Sequence, residues 1–79
     1  MTHLEPAALA ELHKDAIFAV VIAQAGGTPD DCTLVTDQSF KGESEPNAYG
    51  FLVLHAKGMY GVYGNLKDGT LQNVRVTPL

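Results

Sequence analysis

The sequence predicts an α+β fold, with one N-terminal helix packed on an antiparallel sheet of about four strands. Two observations point there. No Gly or Pro interrupts residues 7–25, and Gly26-Gly27 then closes the segment. From residue 32 onward, short runs rich in Val, Leu, Tyr and Phe alternate with turn residues, and Lys57-Gly58 and Asp68-Gly69 read as hairpin turns. A length of 79 residues leaves room for a single domain, 1–79, with a thin stability margin.

The helix is expected over about 6–25. Pro6 suits the first helical position, where its missing N–H costs nothing. Within it, Ala16 to Ala23 form an unbroken apolar run of eight residues. At 100° per residue, Ala8, Leu9, Leu12, Ala16, Ala19 and Ala23 share one stripe, whose small side chains allow close approach to a sheet or helix. Ile17, Phe18, Val21 and Ile22 lie on the opposite side. Two readings stay open for 17–23. Either the helix runs on and its far end is covered by another subunit, or it stops near Asp15 and a buried strand follows. β-Branched content favours the strand, whereas the missing turn signal at Lys14-Asp15 favours the helix.

Strands are expected over about 32–37, 49–56, 59–66 and 71–76, with an exposed loop over 38–48. A two-residue turn at Lys57-Gly58 would set Ala56 opposite Met59, Leu54 opposite Gly61 and Leu52 opposite Tyr63. Phe51, Val53, His55, Tyr60 and Val62 then share the other face. Both faces are apolar, so the second is a candidate interface between subunits. Leu71 and the pair Val74/Val76 differ in phase, which calls for a bulge near Gly64-Asn65 or a longer turn.

Composition narrows the function classes. Hydrophobic residues make up 46% and charged residues 18%, as in folded proteins. The net charge is −4, and the five cations, Lys14, Lys41, Lys57, Lys67 and Arg75, are scattered, which argues against direct duplex nucleic-acid binding. A single cysteine, Cys32, excludes an internal disulfide and suits the cytoplasm. Met1 is not followed by a basic and then an apolar stretch, so no signal peptide is expected. The apolar run is too short for a bilayer, so no membrane association is expected.

No motif carries specific chemistry. His3, His13 and Cys32 lack a ligand spacing, so no metal or other cofactor is expected. Asp30 and Asp31 suppress thiolate formation at Cys32, which reads as a structural thiol. Gly58, Gly61 and Gly64 recur at every third residue but match neither phosphate-loop pattern; they read as strand glycines against which a backbone or ring packs.

The expected function is therefore a small non-enzymatic interaction module, self-associating as a homodimer and binding or inhibiting another macromolecular complex. Phage and mobile-element inhibitors, anti-CRISPR proteins among them, are the leading class. Asp30, Asp31, Asp37, Glu43, Glu45 and Tyr60 are candidate contacts to a protein partner. Phe18, Ile22, Phe51, Val53 and His55 are candidates for self-association. One alternative is an enzyme or ligand-binding domain with His55, Tyr60 and Arg75 in a cleft between subunits; another is a structural subunit of a larger assembly.

Overall fold

A computed structural model describes residues 5–41 and 47–79. The fold is α+β. Two helices, α1 (Pro6–Leu12) and α2 (Lys14–Ala25), precede a 3₁₀ turn at Pro29–Asp31 and four strands: β1 (Cys32–Lys41), β2 (Ala48–His55), β3 (Gly58–Lys67) and β4 (Thr70–Pro78). The strands form one antiparallel meander in the order β1-β2-β3-β4. Helix α1 packs chiefly on β1, and α2 reaches all four strands from the same side.

Helical backbone thus continues through 17–23, and the strand alternative falls. The helix is not one rod, however. His13 leaves helical geometry at φ −105° and ψ 21°, although its N–H still bonds Leu9 O and its carbonyl still accepts from Ile17 N. The kink resolves the conflict of phase. α1 buries Leu9 and Ala10, and α2 buries Ile17, Phe18 and Val21 against the sheet. Ala16, Ala19 and Ala23 turn outward, and Leu12 is 68% exposed. The expected alanine stripe is therefore the outer side of α2, and its bulky side is covered by this chain's own sheet rather than by another subunit. Burying side chains of this size contributes about 1.5–3 kcal/mol each.

Each hairpin departs from, or agrees with, the sequence pattern for a definable reason. In the β2–β3 hairpin His55 pairs with Gly58, Leu54 with Met59 and Leu52 with Gly61. The turn is Ala56-Lys57, one residue earlier than expected, because the His55 ring accepts the Lys57 N–H at Nδ1 (3.0 Å) and pins it there. Partners shift by two positions, so every side chain keeps its expected face. Asp68 and Gly69, at φ 54° and 78°, form the primed turn between β3 and β4. The phase slip is repaired at Gly64, which faces the two residues Asn73 and Val74, with Asn73 at φ 54°. Leu66, Leu71, Val74 and Val76 all reach the core as a result. β1 extends to Lys41 rather than ending near residue 37, because Phe40 and Lys41 pair with Gly50 and Tyr49; the surplus residues between Val35 and Phe40 form a bulge.

The sheet face under the helices carries Tyr49, Phe51, Val53, His55 and Val62, all buried. Of the predicted self-association residues, Phe51, Val53 and His55 therefore belong to the monomer's core. Phe18 is only 9% exposed, and Ile22 alone is half-buried at the surface.

Candidate functional site

A concave recess runs along α2 among the described residues. Asp15, Phe18, Ala19, Ile22 and Ala23 line it together with Pro29, and it encloses about 460 Å³. These residues recur at helical spacing, so they share one side of the helix over about 12 Å. Phe18 is buried and Ile22 half-buried, whereas Ala19 and Ala23 are exposed. Pro29 closes the end, because Gly26 and Gly27 (φ 88° and 87°) turn the chain back against the last turn of α2. The lining is apolar except for Asp15, which is exposed and has no ion pair among the described residues. An apolar recess with one charged group can bind and orient; it contains no nucleophile or proton-transfer pair.

The C-terminal end of the groove is held by His55. Its Nε2 lies 3.0 Å from Gly26 O and its Nδ1 accepts from Lys57 N, also at 3.0 Å. The two contacts together define the neutral tautomer with hydrogen on Nε2. His55 is 4% exposed and meets the Tyr60 ring edge-on, at 5.8 Å between centroids. Both imidazole nitrogens thus hold backbone, tying the α2 terminus to the β2–β3 turn. Tyr60 is half-buried on the core face, packed against the hydrophobic cluster. Arg75 pairs with Tyr63 and lies on the opposite face of the sheet. Within one chain, therefore, His55 and Tyr60 face the core while Arg75 faces the other side of the sheet.

The acidic residues divide. Asp30 and Asp31 are exposed in the 3₁₀ turn, and Asp31 Oδ2 accepts the Thr28 N–H at 3.0 Å. Asp37 belongs to the bulged part of β1, and its side chain lies outside the described residues, as do Glu43 and Glu45. Cys32 is buried and free. Burial, and secondarily the Asp31 charge, push its thiol pKa up, which suppresses the nucleophilic form. Among the described residues no group of three or more His, Cys, Asp or Glu is placed to hold a metal, and no helix is long and apolar enough to cross a membrane.

The outer face of the sheet is the second exposed apolar surface. Val35, Leu52 and Met59 are half-buried there, and Leu54 is 47% exposed. Tyr63 lies over Gly61, where the missing side chain makes room for its ring.

Of the groove residues, only Phe18 and Ile22 stand among the sequence candidates. Ala19 and Ala23 belong to the small-residue stripe, which faces solvent rather than a sheet or helix of this chain; Asp15 and Pro29 carry no site signal in the sequence. No protein-family model matches the chain, and no curated protein or solved structure matches it either.

Proposed function

We propose that this chain is a small non-enzymatic interaction module that docks on another macromolecular complex and thereby inhibits it. The observation that supports this reading is the groove on α2: an apolar recess beside a helix whose Ile17 and Val21 are already buried inside. A helix apolar around its whole circumference is ordinarily buried on all sides, yet α2 leaves Ala16, Ala19 and Ala23 in solvent. Inhibitors carried by phages and mobile elements, such as anti-CRISPR proteins, are the functional class that a small acidic α+β chain of this kind fits. A cytoplasmic setting suits its single, buried thiol.

The test is capture of partners from host lysate by the parent chain and by Ala19→Arg, which fills the groove at an exposed position. A partner retained by the parent and lost by the variant is the expected result. A partner held equally by both would remove the groove from the working surface.

A second reading is a homodimer through the outer sheet face, favoured by the grouping of Val35, Leu52, Leu54 and Met59. Light scattering checks it: Leu54→Lys should convert a dimer to a monomer, whereas a parent chain that stays monomeric across concentration ends this reading.

A further inference from the structure

Building on the reading of the α2 groove as a docking site, we infer that its occupant is a short protein segment presenting an apolar anchor beside a lysine or arginine. The chemistry of the lining selects it. Phe18, Ala19, Ile22, Ala23 and Pro29 offer hydrocarbon, and a recess of about 460 Å³ has room for an apolar side chain. The one charged group among the lining residues is the Asp15 carboxylate. Lys14, the nearest cation in sequence, points its ammonium toward Glu11 instead, at 3.9 Å. Asp30 and Asp31 follow Pro29 in the chain and are both exposed, Asp31 with one carboxylate oxygen on the Thr28 N–H. The field over the groove is therefore negative, and an incoming anion meets repulsion while an incoming cation meets a partner.

A second copy of the chain fits this groove poorly. Twofold packing of the patch on itself would carry two Asp15 carboxylates into an apolar contact that supplies no cation, leaving both charges without compensation. A cationic segment from another protein satisfies Asp15 and fills the recess together.

The experiment titrates three synthetic peptides against the full chain by fluorescence anisotropy. One is an amphipathic peptide with leucines at i and i+4 flanked by lysine and arginine. The second has glutamate at each cationic position, and the third keeps the cations but replaces both leucines by serine. The first should bind at least tenfold tighter than either of the others, with the advantage over the glutamate peptide shrinking as salt rises. Asp15→Asn should weaken it about two- to fivefold, the range of one exposed ion pair. Ala19→Arg and Ala23→Arg should each abolish it. Circular dichroism melts on all variants confirm that they fold, and either arginine variant suffices if the other does not.

Equal affinity for the lysine/arginine and glutamate peptides, or no response to Asp15→Asn, overturns the inference. If that happens while Ala19→Arg still loses a lysate partner, the groove remains a docking site of different selectivity. If Ala19→Arg loses neither peptide nor partner, the functional reading itself fails.

Discussion

Replacing His55 by Phe should destabilise the fold by about 2 kcal/mol without reshaping the core. The phenyl ring keeps the apolar contact with Tyr60 but removes both ring nitrogens, which hold Gly26 O and Lys57 N at 3.0 Å each. Each hydrogen bond contributes roughly 0.5–1.5 kcal/mol net, so the pair is worth about 1–3 kcal/mol. Gly26 and Lys57 are themselves exposed, so water recovers part of the loss and the upper end is not reached. In a domain of this size, about 2 kcal/mol lowers the melting temperature by roughly 8–16 °C. His55→Asn separates the two contacts, since an asparagine carbonyl can accept from the N–H two residues on but cannot reach Gly26. It should restore exchange protection of the Lys57 amide while leaving a cavity behind. Thermal melts followed by circular dichroism, with amide exchange at Lys57, read both effects. A His55→Phe variant that melts within about 2 °C of the parent would show that the clamp contributes nothing.

Three further outcomes follow from the same structure. Gly27→Ala should cost about 2 kcal/mol in urea unfolding, because φ is 87° there and an added Cβ would fall on the Asp31 carboxylate that caps Thr28. His13→Phe should raise stability by about 1 kcal/mol, since His13 Nε2 is buried without a hydrogen-bond partner among the described residues; an unchanged urea midpoint would mean that solvent already reaches it. The raised pKa of Cys32 keeps its thiol protonated in the folded state while the unfolded chain ionises, so its contribution is whole below the thiol's ordinary range and fades as pH climbs above about 8.5. The difference in unfolding midpoint between the parent and Cys32→Ala should therefore narrow between pH 7 and pH 10.

The sheet was the more legible half of the fold. Runs of Phe, Leu, Val and Tyr bounded by turn residues mark β2 and β3 directly, and the clash of phase between Leu71 and Val74 locates the Gly64 bulge, because a one-residue slip would otherwise throw Val74 and Val76 into solvent. The β2–β3 turn was misplaced for a reason no dipeptide rule contains: a side chain from the preceding strand, His55, supplies the acceptor that fixes it. The helix was harder. The two apolar stripes of 6–25 cannot both face one sheet on a straight rod, and the kink at His13 carries neither Gly nor Pro to announce it. Once the kink is granted, bulk decides. Ile17, Phe18 and Val21 remove far more surface from water than three alanines, so they go inward. The groove was missed through that single step, since its floor is what remains on the outside.

The bend at His13 divides labour between the two sides of α2. Ile17 and Val21 on α2 are wholly enclosed under the sheet, while Ala16, Ala19 and Ala23 stand in solvent. Altering an outward alanine changes the profile of the recess without opening a void beneath it. Substitutions at these positions should therefore leave the melting temperature close to the parent's, whatever they do to the surface.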